Sequence, residues 1–340
     1  MGKLKVGVVG CGSIANHRHL PEYQNNPAVE IVAVCDIVEE RAKTTAELFG
    51  AANYYTDYQE LIQNNDVDMI SVCTPNYLHA PVSIAALNAG KHVLCEKPMA
   101  TSEAEAKDMI AASEKSGKKL MIGHNQRFVP SHQKAKELIA NGELGRIYSF
   151  RTAFGHGGPE GWSADGKKSW FFKKEEAFIG ALGDLGVHKA DLLRYILGEE
   201  VKEVASFVEG NAKQNSTVDD NAVALLRTES GIIGTLAASW AYVSSEDNST
   251  VIYGEHGIMR LEEDPVYSMI IQYKDGSTVN YQLGQIQTNE NQSNSGVIDH
   301  FVSSVQNDEQ PLITGEEGWK SLQVIIAALE ANETKKNVQL

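Results

Sequence analysis

The stretch "VGVVGCGSIA", Val6 to Ala15, decides the fold. A short β-branched run enters a turn with glycines at positions 10 and 12 and a small residue at 15, so the pattern is G-x-G-x-x-A between a strand and a helix. Gly10 permits the tight turn, Gly12 lets a pyrophosphate approach the backbone, and Ala15 keeps the helix close to the sheet. Ser13 and Ile14 then lie at the helix N-terminus, where free N–H groups favour an anion. Alone the motif is a Gly-rich turn. It gains meaning from "EIVAVCD", whose Asp36 ends the next predicted strand and lies 21 residues beyond Ala15. An acid there accepts hydrogen bonds from the ribose hydroxyls of NAD and repels a 2′-phosphate. NAD is therefore the expected cofactor, and Glu39 and Glu40 push the same way. Arg41 either turns toward a phosphate or is a solvated helix residue, and it joins the candidate cofactor set.

Working outward, "LKVGVV", "EIVAVCD", "DMISVCTP", "HVLCEKP" and "KLMIGHN" read as strands buried on both faces. Helical patterns such as "EERAKTTAELFG" and "SEAEAKDMIAASEKSG" lie between them, each closed by glycine. Strand–helix alternation implies a parallel sheet with both faces covered. Ligands bind at the carboxyl edge of such sheets. There "CTPNYLHA" offers Thr74, Pro75, Asn76 and His79, although His79 serves equally as a helix cap. "CEKPMAT" offers Glu96 and Lys97 at another strand end, where Pro98 fixes the loop and biases Lys97 toward an extended backbone.

The rhythm changes near Gln126, which divides the chain into 1–126, a dinucleotide-binding α/β domain of Rossmann type expected to take NAD(P), and 127–340, an α+β domain. The second part reads as "SHQKAKELIANG", a helix, then "RIYSFRTAF", a strand. The strands "EVASFVEG", "NAVALLRT", "GIIGTLAASWAY", "STVIYGEHGIMRLEE", "YSMIIQYKDG" and "STVNYQL" follow. Short turns such as "YKDGST" predict a mainly antiparallel sheet, with the closing helices "VIDHFVSSVQN" and "EEGWKSLQVIIAALEA" beside it.

Composition bounds the function. The chain has 340 residues, 42% of them hydrophobic and 22% charged, with a net charge of -15. That charge argues against nucleic acid or an anionic membrane as the main partner. No apolar run approaches the ~20 residues that span a bilayer. The N-terminus does not read as a signal peptide, and Val6 stands where a myristoylation motif wants Ser or Thr. The cysteines, at 11, 35, 73 and 95, form no C-x-x-C pair and read as buried free thiols, so a cytoplasmic location is expected.

"GALGDLGVHKADLLRY", Gly180 to Tyr195, carries the other chemistry. Asp184, His188 and Asp191 share one sector of a helix, and Gly180, Gly183 and Gly186 form a small stripe expected to let cofactor or substrate approach the backbone. A structural Asp–His pair, a catalytic pair and a metal site are all readings of this motif alone. No second histidine at i+4 and no cysteine or carboxylate cluster support a metal, and none is expected. Asp191 is expected to meet an arginine or a helix end.

"VGVVGCGSIA", "CEKPMA" and "GDLGVHKAD", in this order and spacing, resemble the Gfo/Idh/MocA oxidoreductase family of inositol and sugar enzymes. The resemblance covers nearly the whole chain, down to "TGEEGWKSLQVIIAALEA". It implies a Rossmann domain joined to a domain with a large, mostly antiparallel sheet, whose open faces pair into dimers or tetramers. It also implies catalytic roles for Lys97, Asp184 and His188. "GHNQRFVP" is similar to the family segment that enters the second domain, which puts Asn125 and Arg127 near the cofactor or hinge. One departure is "FIGALGD", where the family often has G-G before the helix.

On that footing, His188 accepts the proton of a secondary alcohol while nicotinamide accepts hydride. Lys97 hydrogen-bonds the same oxygen, and Asp184 holds the imidazole or binds a neighbouring hydroxyl. Lys97, Asp184 and His188 thus also touch substrate. The loop with His156, Trp162, Trp170, Phe171 and Phe172 is expected to wall the pocket, Trp162 and Trp170 meeting the C–H faces of a polyol or sugar. "GQIQTNENQSNSG" is a further polar loop able to reach the site or a neighbouring subunit. Two other functions fit the same motifs: a glycosidase that uses NAD for transient oxidation, and a non-enzymatic NAD(P)-sensing regulator.

Overall fold

The computed structural model describes residues 2–284, 286 and 294–340. The first unit is a six-stranded parallel sheet of β1 (Leu4–Val9), β2 (Val29–Cys35), β3 (Asn53–Tyr55), β4 (Met69–Val72), β5 (His92–Cys95) and β6 (Leu120–Ile122). The strand order is β3-β2-β1-β4-β5-β6, the doubly wound Rossmann order. Its order reverses beside β1, so the crevice at the carboxyl ends of β1 and β4 is the expected ligand position. β1 ends in four consecutive buried residues and β4 is buried throughout, as a sheet covered on both faces requires. The helices Glu39–Phe49 and Glu103–Ser116 end on Gly50 and Gly117 in the left-handed region, as their C-terminal glycines predict. β3 was not anticipated, because three residues carry no periodicity.

The second unit is a nine-stranded sheet made of β7 (Ile147–Gly155), β8 (Val201–Glu209), β9 (Asn221–Thr228), β10 (Ile233–Ser239), β11 (Thr250–Gly254), β12 (Gly257–Leu261), β13 (Met269–Tyr273), β14 (Thr278–Tyr281) and β15 (Val338–Gln339). The order is β14-β13-β12-β11-β7-β10-β9-β8-β15, with β7 and β10 parallel and the other neighbours antiparallel. "STVIYGEHGIMRLEE", read as one strand, is instead the hairpin β11–β12, turning at Glu255 and His256. β9 alternates exposed and buried along its whole length, so one face packs on helices and the other is open.

Two cores follow from this arrangement. The helix Val297–Gln306 was expected beside the second sheet, but Val297, Ile298, Phe301 and Val302 pack into the first core. The helix Gly315–Thr334 straddles both: Trp319 and Leu322 join the first core, while Val324, Ile325, Ala327 and Ala328 join the second. We propose 1–126 and 127–340 as the division in chain order, with this return across the boundary tying the two units. Among the described residues no helix is long and apolar enough to cross a membrane.

Candidate active site

A cavity of about 780 Å³ runs from the glycine turn after β1 to the helix Val187–Leu197. At one end Gly10 has φ +94°, and a Cβ there would collide with the Cys73 carbonyl, so only glycine fits. A Cβ on Gly12 would meet no atom of the described residues within 4 Å, which leaves the turn open toward the cavity. Asp36 is anchored by its own backbone surroundings: Oδ2 accepts from Cys11 N at 3.0 Å and Oδ1 from Val38 N at 2.9 Å. Ser13, Ile14, Arg41, Thr74, Pro75 and Asn76 line the same wall. An open glycine turn, a helix start and a fixed acid beside one cavity fit a dinucleotide.

Other cofactor-side expectations meet a different environment. His79 lines the cavity, but both ring nitrogens are engaged, Nδ1 with the Pro98 carbonyl at 2.7 Å and Nε2 with the Thr74 carbonyl at 2.9 Å. It thereby ties the two strand-end loops together. Asn76 Nδ2 donates to the Ala177 carbonyl at 2.8 Å. Burial would raise the Glu96 carboxyl, but the Arg18 guanidinium and His19, its hydrogen-bond partners, hold it well below the usual range.

Arg127 does not reach the cavity. Its guanidinium is buried against Asp191, with Nε to Oδ2 at 2.8 Å and Nη2 to Oδ1 at 2.7 Å, and Nη2 also meets Glu317 at 2.7 Å. Of the two places expected for it, near the cofactor or at the hinge, it takes the second, where the helix Gly315–Thr334 bridges the two cores. Asp191 also accepts from Ser321 Oγ at 2.9 Å, which fixes the His188 helix to Gly315–Thr334. A buried charge cluster of this kind holds geometry because removing one member strands the others.

The catalytic end is built where β5, β6 and the helix Val187–Leu197 converge. Lys97 Nζ donates to Asp184 Oδ1 at 2.7 Å and to the Asp184 carbonyl at 2.9 Å. Trp240 Nε1 donates to Asp184 Oδ2 at 3.2 Å. Asp184 therefore holds Lys97, and the expected bond from Asp184 to the His188 imidazole is absent among the described residues. His188 has no ring hydrogen bond there, and its Nδ1 is buried. Burial, and then the Lys97 charge, push its pKa well below the ordinary value, so the ring is neutral near pH 7. Phe154 and His124 flank it, with ring centroids 5.7 and 6.3 Å away.

The aromatic loop divides. His156, Trp162, Trp170 and Phe171 line the cavity, with Trp170 stacked on Phe171 at 3.8 Å between centroids. Phe172 instead joins the second core and packs edge-on to Trp240. The polar loop "GQIQTNENQSNSG" lies mostly outside the described residues; of its interior Ile286, on the cavity wall, and Asn294 and Ser295 are described, and Ser295 donates to Glu22.

The three glycines before His188 do not open toward the cavity as expected. A Cβ on Gly180 would strike the Asp219 carbonyl, and one on Gly183 the Ile179 side chain. One on Gly186 would lie 2.9 Å from Leu182 Cδ1 and 3.4 Å from Ala238 Cβ. Their small size admits neighbouring protein. The helix opens with a wide π-type turn, Leu182–Gly186, and Asp219 accepts from Gly180 N at 2.7 Å and Leu182 N at 2.8 Å.

Sequence reasoning missed His124, Gln126, Phe154 and Trp240. His124 and Gln126 follow β6, so the carboxyl-edge rule was the signal for both. Among the described residues no three His, Cys, Asp or Glu side chains are grouped to hold a metal.

Comparison with known proteins agrees with this geometry. The sequence model of the Gfo/Idh/MocA oxidoreductase family, NAD-binding Rossmann fold, matches residues 4–124, and that of the Gfo/Idh/MocA C-terminal domain matches residues 132–260. The chain belongs to the Gfo/Idh/MocA oxidoreductase family. Its first unit is thus an NAD-binding Rossmann domain, and NAD its cofactor. As a Gfo/Idh/MocA protein it is similar to myo-inositol 2-dehydrogenase of Thermotoga maritima, with 28% identity over 99% of this chain and 98% of that one. It is 32% identical to levoglucosan dehydrogenase of Pseudarthrobacter phenanthrenivorans over 70% of this chain and 68% of that one. A solved levoglucosan dehydrogenase, in complex with NADH and levoglucosan, superposes with a TM-score of 0.87 at 25% identity, covering 99% of each chain.

Proposed function

We propose that this oxidoreductase transfers hydride between NAD and a secondary alcohol of a neutral polyol, an inositol or a sugar. The observation that carries the reading is the Lys97–Asp184 pair, 2.7 Å apart, beside a neutral imidazole with no partner among the described residues. Bound NAD supplies the hydride acceptor in the oxidation direction. His188 receives the hydroxyl proton, which a neutral ring can do and a protonated one cannot. Lys97 has three N–H donors, of which Asp184 engages two. The third is left to hydrogen-bond the substrate oxygen as negative charge builds on it. Asp184, itself held by the Trp240 indole N–H, keeps that ammonium in place.

Neutrality of the substrate follows from charge: Asp184 already answers Lys97, so among the described residues an anionic group would find no uncompensated cation beside the imidazole. Trp162, Trp170 and Phe171 offer faces that suit sugar or cyclitol C–H groups. On the cofactor side Gly10, Gly12, Ser13, Ile14, Asp36 and Thr74 to Asn76 are assigned to NAD, with Asn125 toward the nicotinamide end. The relatives named as acting on myo-inositol and levoglucosan support a polyol or sugar as substrate.

A panel of polyols, sugars and ketones with NAD and with NADP, read by NADH absorbance, tests this. Net NADH formation from a polyol or sugar supports the reading. Hydrolysis of a glycoside without net NADH would replace it with transient oxidation. Inert substrates despite tight NAD binding would replace it with a sensor.

Assembly into a homo-oligomer through the open sheet face belongs to the same proposal. Phe207, Leu225, Ile233 and Val223 stand 74%, 59%, 51% and 45% exposed on or beside that face, an apolar patch a monomer seldom leaves in water. Light scattering should give a dimer or larger, and a wild-type monomer would remove this part. All four cysteines are free and buried, which supports a reducing, cytoplasmic compartment. Recovery of the native protein from an oxidising compartment would contradict it.

A further inference from the structure

The aromatic loop reaches back from the second unit to the nucleotide end of the cavity. There Arg41 Nη2 donates to Asp165 Oδ1 at 2.9 Å, while Arg41 Nη1 stands 3.7 Å from Asp36 Oδ2. The guanidinium thus lies between two carboxylates, one from each unit. A second contact seats the loop: Ser13 Oγ, on the glycine turn, donates to the Trp162 carbonyl at 2.7 Å. Asp165 therefore has a defined place on the cavity wall, although it lies 124 residues from Arg41 in the chain.

Arg41 lies in the first turn of the helix that follows Asp36, near where an arginine receives the 2′-phosphate of NADP. Here its donors are turned to carboxylates. Asp57 lines the same cavity, so Asp36, Asp57 and Asp165 stand among its lining residues with Arg41 and Lys168. A phosphate monoester brings roughly two further negative charges into that field.

We infer that Asp165 is a specificity-determining residue for the cofactor: by engaging Arg41 together with Asp36, it withholds the guanidinium from a 2′-phosphate and selects NAD over NADP. The inference rests on the reading that this end of the cavity takes the adenosine ribose of NAD. Asp36, with Glu39 and Glu40 beside it, was the expected determinant. With Asp165 included, discrimination depends on a loop of the other unit being seated over the site. Without Asp165, Arg41 keeps only its longer contact to Asp36 and can turn outward to a phosphate.

Calorimetric titration of NAD and NADP, each into the wild type, Asp165→Ala, Asp165→Asn and Asp165→Ala/Arg41→Ala, tests the assignment without any substrate. The NADP-to-NAD ratio of Kd should fall about tenfold in both single variants, the scale of one charge-assisted contact. It should return to the wild-type ratio or above it in the double variant. An unchanged ratio in the single variants, or a fall that survives removal of Arg41, would overturn the assignment. A fall in Asp165→Ala but not in Asp165→Asn would also overturn it, by tracing the effect to loop seating rather than charge. Wild type that binds no NAD would instead overturn the cofactor reading beneath it.

Discussion

Two glycine-rich helix openings face each other across the cavity, and they use the missing side chain in opposite ways. At the cofactor end Gly12 has open space where a Cβ would stand, and the turn presents its backbone to the cavity. At the catalytic end Gly180 abuts the Asp219 carbonyl, and Gly186 is closed by Leu182 and Ala238. One opening leaves room for a ligand; the other lets β10 and the loop before β9 approach the helix closely enough to aim Asp184 and His188. A glycine stripe therefore indicates close approach, and only the third dimension says what approaches.

Substitution breaks this comparison most sharply at Gly180. Gly180→Ala forces a Cβ into backbone that cannot yield, and a loss of about 4 kcal/mol or more is expected in urea unfolding. A cost near that of an ordinary surface change would contradict the close contact with Asp219.

Acid sharpens the contrast next, because buried neutral imidazoles lie behind the catalytic end, His124 beside His188 and His132 on the helix Pro130–Ala140. Burial lowers His132 to about 3 and His124 to about 4. Both lie below the unfolded value of roughly 6.5, so the unfolded chain binds more protons as pH falls. Their stabilising share is present above that value and lost below it, toward the folded pKa. From about pH 6.5 to about 5 the loss is on the order of 2 kcal/mol for His132 alone. The slope of unfolding free energy with pH should flatten in His132→Gln, and an equal slope in both proteins would sink the assignment.

Gly12→Ala is the smaller perturbation, and it should separate folding from binding. Stability should change by no more than about 0.5 kcal/mol, because nothing among the described residues meets the new methyl, while NAD affinity falls about tenfold or more in a calorimetric titration. Undiminished NAD affinity would place the cofactor elsewhere. Smallest of all is Gly186→Ala. There the helix gains roughly 1 kcal/mol of propensity, set against a tight but flexible Leu182 contact, and a net melting shift of only a degree or two is expected.

What the sequence made legible follows the same division. Gly10, Gly12 and Asp36 form a local pattern that one strand and one helix complete, so their places were readable in advance. Lys97, Asp184 and His188 needed the family resemblance, since nothing local brings position 97 to position 184. Arg127 was placed near the cofactor or hinge by the family resemblance alone, and its partner, Asp191, lies 64 residues away and leaves no mark near it. Trp240 and Asp165 escaped notice for the same reason: each acts on a residue of a distant segment. The helix Val297–Gln306 shows an apolar face, but periodicity does not say which sheet receives it. The β11–β12 turn was missed because Glu255 and His256 are not the usual hairpin pair.

The central claim is that His188 is the proton acceptor and that Lys97 and Asp184 serve the same oxygen. The most direct test is steady-state turnover of His188→Ala with a polyol that the wild type oxidises, alongside NAD affinity measured calorimetrically on the same sample. The account predicts that kcat falls about a hundredfold to ten-thousandfold while the NAD Kd stays within about threefold. Undiminished kcat in that variant, with NAD bound, would contradict it.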